Sequence, residues 1–316
     1  MHNRFADLSV SGDEGDGEEW QIAVGKKMGR KEPARQLEAK AGANRDYAIA
    51  EMDDNYDKNR YCDCLPFNYN RVILHRHDEE DAGYINASHL RSKDFEQPEW
   101  EYIAAQGPLF DTVPEFWRMV YESGSQMIVM LTRTEEENIK GQMVDKCAAY
   151  WPQSVGAIMP QGNLMVKLDN EEMLSPELRR RELTLTCLDN DDVLPLTHIQ
   201  HLTWPDHGLP PSSVALRCIL ALMRAAREAP PSVPHGGGPP IVHDSAGIGR
   251  TGVLVAADIA LRQLHAARSP GDAKAAVDCK AIVQELRRQR MSMVHYQEQF
   301  AWLYRVLADE IKSLMT

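Results

Sequence analysis

Apolar and polar positions along the chain fall into two regimes. Short apolar runs, several alternating with polar residues, predict strands at residues 72–74, 102–104, 127–131, 164–168, 181–188, 196–202 and 241–242. Apolar residues recurring every three to four positions predict helices at 113–122, 213–228, 249–267, 273–290 and 296–312. A further helical pattern starts at Pro33 and runs through Ala48 to Met52. Strands mixed with long helices predict an α/β or α+β domain, its twisted mixed sheet covered by helices on both faces.

Residues 1–32 break this patterning. They are Gly/Asp/Glu-rich, then Lys/Arg-rich, with few large apolar residues, and are expected to form a mobile leader. No second linker interrupts the rest, so residues 33–316 are read as one domain. The loop 230–240, with three consecutive glycines, is flexible but short.

Charge and cysteine usage narrow the function classes. Lys and Arg number 35 against 47 Asp and Glu, a formal charge of −12, which disfavours a nucleic-acid partner. No stretch approaches the roughly 18 apolar residues of a membrane span, and the N-terminus lacks an apolar signal segment. The cysteines at 62, 64, 147, 187, 218 and 279 form no disulfide or zinc framework, so a reduced, cytoplasmic setting is expected, with no cofactor and no metal.

The chemistry concentrates at one place. After the apolar pair Ile241-Val242 come His243, Asp244, Ser245, Ala246, Gly247, Ile248, Gly249, Arg250 and Thr251, and then the longest helical pattern. A strand, a small-residue loop and a helix N-terminus together aim backbone N–H groups at an oxyanion. Arg250 adds a planar fork matched to phosphate. The loop from Asp244 to Arg250 is therefore the candidate phosphate-binding segment.

This run resembles the signature of the tyrosine-specific protein tyrosine phosphatases, His-Cys, five residues, Arg, with Asp244 where the cysteine belongs. Other segments carry the same resemblance. Asn59-Arg60-Tyr61-Cys62-Asp63 is similar to the loop that recognises phosphotyrosine, Tyr61 walling the slot and Asp63 accepting from the substrate backbone. Taken alone, Tyr61 would read as a half-buried core tyrosine. Trp204-Pro205-Asp206-His207-Gly208 resembles the movable loop whose aspartate protonates the leaving phenolate, and Lys146 matches the lysine that meets it. Residues 291–299 resemble the loop that positions the hydrolytic water with glutamines; Gln299 is retained and His295 replaces the first. Tyr84 to Ser88 and Gln106 to Pro108 match framework segments. The glutamate that braces the signature arginine in that family has no clean counterpart, because Glu135-Glu136-Glu137 precedes extra residues before Lys146.

The family mechanism needs a low-pKa thiolate that attacks phosphorus and is then released by water. A carboxylate is a weaker nucleophile, and losing a nucleophile can remove about six orders of magnitude in rate. His295 would slow the second step as well. The resemblance therefore implies the inactive, pseudophosphatase subset, binding tyrosine-phosphorylated proteins, with a phosphorylated kinase as one candidate. Two alternatives stand beside it: an interaction scaffold with a vestigial pocket, and a weakly active phosphatase. For the pocket itself, the Asp244 carboxylate either leaves the loop amides to a phosphate or takes them for itself.

Overall fold

The computed structural model describes residues 46–75, 83–92, 101–138, 140–205, 208–210, 212–266 and 277–315. The leader at 1–32, Asp206 and most of the helical pattern that begins at Pro33 lie outside them. The described part of that pattern differs from expectation. Residues 46–52 form a turn, with the Asp46 carboxylate accepting from the Ala48 amide at 2.8 Å. Such a short-range side-chain bond offers the backbone an alternative to helix.

In chain order the elements are α1 (Asp53–Tyr56), β1 (Arg71–Ile73), β2 (Tyr84–Arg91), β3 (Glu101–Ala105), α2 (Val113–Ser123), β4 (Met127–Met130), β5 (Glu135–Glu137) and β6 (Met143–Asp145). There follow β7 (Ile158–Gln161), β8 (Leu164–Ser175), β9 (Leu178–Cys187), β10 (Val193–His201), α3 (Val214–Glu228), β11 (Ile241–His243), α4 (Gly249–Ala266), α5 (Cys279–Gln289) and α6 (Gln297–Met315). Among the described residues, nine strands form one sheet in the order β1-β2-β3-β11-β4-β10-β9-β8-β7, and β5 pairs with β6 apart from it. The centre is parallel: β11 lies between β3 and β4, and β4 beside β10. The flanks are antiparallel.

Period-two alternation sorts the central side chains into two cores. Tyr102, Ala104, Met127, Val129 and Val242 face a core completed by α3, α4, α5 and α6. Ile103, Ala105, Ile128, Met130 and Ile241 face the other, closed by α2 with Phe116, Trp117 and Val120, and by Tyr150 and Trp151. Both faces of the sheet are covered, as the patterning predicts. Helix α4 is buried all round from Val253 to Leu261, Asp258 included, which marks it as the central helix of its layer.

This topology positions the loop. β11 is flanked by parallel neighbours, so its carboxyl end opens where ligand sites form in such sheets. Six residues later α4 begins with its N-terminus at the same place.

Candidate functional site

The loop from Asp244 to Ile248 is shaped by donors that hold its carbonyls from outside. His243 Nδ1 donates to the Asp244 carbonyl at 3.1 Å. The Gly107 amide holds Ser245 O at 3.1 Å. Arg290 holds two more, Nη2 to Ala246 O at 3.1 Å and Nε to Gly247 O at 2.8 Å. The Val294 and Gly252 amides hold Ile248 O at 3.0 and 3.1 Å. In a trans peptide the N–H points opposite to the C=O. Pinning five successive carbonyls outward therefore turns the following amides, Ser245 to Gly249, toward the loop's interior. The result is a nest for an anion, supplemented by the positive end of the α4 dipole.

Gly247 is required by this path. Its φ is +73°, and an added Cβ would stand 2.2 Å from Ala105 O.

Asp244 sits at the base of the nest, 3% exposed, and its carboxylate is satisfied from within. Oδ1 accepts from the Gly247 amide at 2.5 Å and Oδ2 from the Thr251 amide at 3.0 Å. The side chain thus takes one inward amide of the loop and one of the helix's first turn. The amides of Ser245, Ala246, Ile248 and Gly249 have no acceptor among the described residues. Ser245 and Arg250 are buried; Ala246 and Gly249 are half-buried and form the opening.

Arg250 is anchored by Glu136. Nη1 donates to Glu136 Oε1 at 2.6 Å and to the Trp204 carbonyl at 2.9 Å. Thr132 Oγ1, at 2.7 Å, and the Arg133 amide, at 3.2 Å, share Oε1. The expectation that no glutamate braces this arginine is corrected here. The signal lay in strand alternation: β5 is three consecutive glutamates, and only the middle one is buried.

The structure brings several other predicted residues to the loop. Ser245 Oγ donates to the Lys146 carbonyl at 2.9 Å, so its oxygen receives the Tyr61 hydroxyl, also at 2.9 Å. Tyr61 is held there by its neighbour: Arg60 donates to the carbonyls of Gly107, at 3.0 Å, and Pro108, at 2.8 Å. Gln299 is buried against Gly249 and accepts from the Tyr296 amide at 3.2 Å. His295 is exposed and stacks edge-on to Tyr296, ring centroids 4.5 Å apart. Asp63 is exposed, one residue from Cys64.

Arg290 is a residue whose role sequence reasoning missed. It is fully buried, and besides the two loop carbonyls it reaches Ser88 Oγ at 3.0 Å and Asn86 Oδ1 at 2.8 Å. Burial lowers its pKa to about 10. The polar residues inside β2 thus have a use: they seat the arginine that shapes the loop.

No thiol stands in for a nucleophile at the base. All six cysteines are free. Cys64 is the one in electrostatic reach of Asp244, and burial, then the Asp63 charge, push its pKa up to about 12, so it is protonated near neutrality. Chemically, the arrangement offers inward amides, a helix N-terminus and a braced guanidinium to an oxyanion, with a carboxylate at the floor.

A nine-stranded mixed sheet carrying such a loop at its central parallel strand defines a class, and sequence comparison agrees with it. The family profile described as protein-tyrosine phosphatase matches residues 55–309, and the chain belongs to that family. It is 36% identical over 268 residues to Protein-tyrosine-phosphatase PTP1 of Arabidopsis thaliana, covering 84% of this chain and 74% of that protein. It is 35% identical over 256 residues to Receptor-type tyrosine-protein phosphatase C of Homo sapiens, covering 81% of this chain and 18% of that protein. With Tyrosine-protein phosphatase non-receptor type 20 of Rattus norvegicus the identity is 33% over 261 residues, 83% of this chain and 56% of that protein. The chain therefore spans under a fifth of the human receptor's length. Among the described residues no helix is long and apolar enough to cross a membrane.

Proposed function

We propose that this domain is a pseudophosphatase: it binds tyrosine-phosphorylated proteins in the loop at Asp244 to Arg250 and shields or sequesters them without dephosphorylation. A tyrosine-phosphorylated kinase in the reducing cytoplasm is the partner type this reading favours. The observation that carries it is the combination at one loop: carbonyls pinned outward, four amides without an acceptor among the described residues, and a carboxylate at the nucleophile's position.

Magnitudes favour binding over exclusion. Repulsion between Asp244 and a phosphate about 4 Å away costs about 4 kcal/mol at an effective dielectric near 20. Hydrogen bonds to a charged acceptor contribute about 1.5–3 kcal/mol each. Four amides and a braced arginine outweigh the repulsion. Turnover is another matter, because a carboxylate is a poor attacking group and phosphoryl transfer to aspartate generally relies on a metal to hold the phosphoryl oxygens.

Calorimetric titration with one peptide in phosphorylated and unphosphorylated form tests this. The expected result is binding of the phosphorylated form alone, abolished by Arg250→Met. Catalytic release of inorganic phosphate by the unmodified chain would overturn the inactive reading in favour of a weak phosphatase. One observation supports the scaffold reading: the Gly247 amide is already taken by Asp244 at 2.5 Å. Phosphorylation-independent binding that survives Arg250→Met would favour that reading.

A further inference from the structure

Behind the loop runs a buried file of polar side chains. Tyr150 Oη lies 2.7 Å from His243 Nε2 and 2.8 Å from His198 Nε2. His198 Nδ1 lies 3.2 Å from Arg181 Nη1, and Arg181 Nε donates to Glu171 at 2.6 Å. His243 Nδ1 lies 3.1 Å from the Asp244 carbonyl. His198, His243 and Tyr150 are 100% withdrawn from solvent or nearly so, and the Arg181 side chain is 1% exposed.

The proton positions follow from the two ends. A carbonyl can only accept, so His243 Nδ1 carries hydrogen. A guanidinium can only donate, so His198 Nδ1 is bare. Burial holds both imidazoles neutral, His243 down to about 4 and His198 well below its usual value. A neutral ring has one hydrogen, so His243 Nε2 is bare and His198 Nε2 is protonated. Tyr150 has one hydrogen to give and lone pairs to receive. It accepts from His198 and donates to His243. Either end reversed would leave Tyr150 facing two donors or two acceptors; as drawn, every group is used once.

We infer that Arg181, acting through His198, Tyr150 and His243, is a positioning residue for the anion nest: the one-way relay fixes the Asp244–Ser245 peptide plane and with it the inward Ser245 amide. Arg181 is suited to the start of such a line. It is held by Glu171, by Gln200 Oε1 at 3.0 Å, and by the Trp151 ring, 4.1 Å from its guanidinium carbon. The far end reaches Glu171, a third exposed, so the line runs from the protein surface on β8 to the loop.

This deepens the proposed anion-binding reading and rests on it for its purpose, but its test needs no ligand. Histidine-labelled protein is examined by nitrogen–proton NMR. The expected pattern is hydrogen on Nδ1 of His243 and on Nε2 of His198. The opposite tautomer at either ring overturns the relay. In Arg181→Met, the nitrogen–proton peak of the Ser245 amide is expected to shift and broaden as its peptide plane loosens, and Arg181→Lys is expected to restore most of the original peak. An unchanged Ser245 amide in a folded Arg181→Met, with β11 still protected, overturns the positioning role. Tyr150→Phe, which cuts the line in the middle, should reproduce the Ser245 effect. Failure of the unmodified chain to bind any phosphotyrosine peptide, with both tautomers as drawn, would instead count against the binding reading and leave the relay standing.

Discussion

Glu136 holds Arg250 across 2.6 Å in a site where both side chains are under 5% exposed. A buried pair of this kind contributes little net stability against apolar residues of the same size, but removing one partner strands a charge. Glu136→Ala is therefore expected to destabilise the fold by about 3–5 kcal/mol. The shift is read as a lower urea midpoint. Glu136→Gln, which keeps an acceptor, should lose less stability while still weakening phosphopeptide binding.

Asp244→Ala separates the two roles of the floor carboxylate. It removes a charge facing the ligand and releases the Gly247 and Thr251 amides. Relief of at most about 4 kcal/mol of repulsion predicts ten- to hundredfold tighter phosphotyrosine peptide binding by titration. Without ligand the two amides lose their acceptor, at about 1–3 kcal/mol each. The melting temperature should fall in phosphate-free buffer and recover when phosphate is added.

Asp244→Cys asks how much of the catalytic machinery remains. The expected outcome is partial activity on an aryl phosphate, a burst of phenol followed by a slow steady rate, because His295 stands where a water-positioning glutamine is expected. Adding His295→Gln should raise the second phase and leave the burst unchanged. A full rate from the single variant would show that His295 is no obstacle.

Arg290→Lys keeps the charge but offers three N–H donors on one atom in place of a planar fork of five. Arg290 serves Ala246 O, Gly247 O, Ser88 Oγ and Asn86 Oδ1, so lysine, with three hydrogens on one nitrogen, leaves at least one of these four acceptors unheld and loosens the loop. Anion affinity should fall at least tenfold while the sheet persists, as judged by far-ultraviolet circular dichroism.

Acid should unfold the domain through its buried histidines. Burial lowers His243 and His201 from the usual 6.5 to about 4, with the Arg250 charge adding to the effect at His201. In the unfolded chain both protonate near 6.5, so between pH 6.5 and 4 the unfolded state binds more protons. Stability is then fully present above 6.5 and lost as pH falls toward 4. Two and a half pKa units correspond to about 3 kcal/mol for each group. Urea midpoints at pH 7 and pH 4.5 measure this, and equal midpoints would refute it.

Much of this architecture was legible from apolar spacing. The runs at 102–104, 127–131 and 241–242 became the parallel centre, and the patterns at 213–228 and 249–267 became α3 and α4 within a residue. What escaped notice was polar and buried. Tyr84 to Ser88, the greater part of β2, was matched only as a framework segment, because a strand covered on both faces shows no alternation and carries Asn86 and Ser88 inside. Their reason is Arg290, some two hundred residues away in sequence, and no local signal announces such a partner. Glu136 escaped because extra residues before Lys146 blurred the match, and nothing local in three adjacent glutamates tells that pairing with β6 leaves the middle one buried.

The fasteners of the anion loop are His243, Gly107, Arg290, Gly252 and Val294. The side chain at 244 holds amides, those of Gly247 and Thr251, and none of the loop carbonyls. Whatever residue occupies that spot, the outward pull on the loop carbonyls is anchored elsewhere. The group at the floor and the outline of the loop are thus set by different parts of the domain, so one codon can rewrite the first and leave most of the second in place.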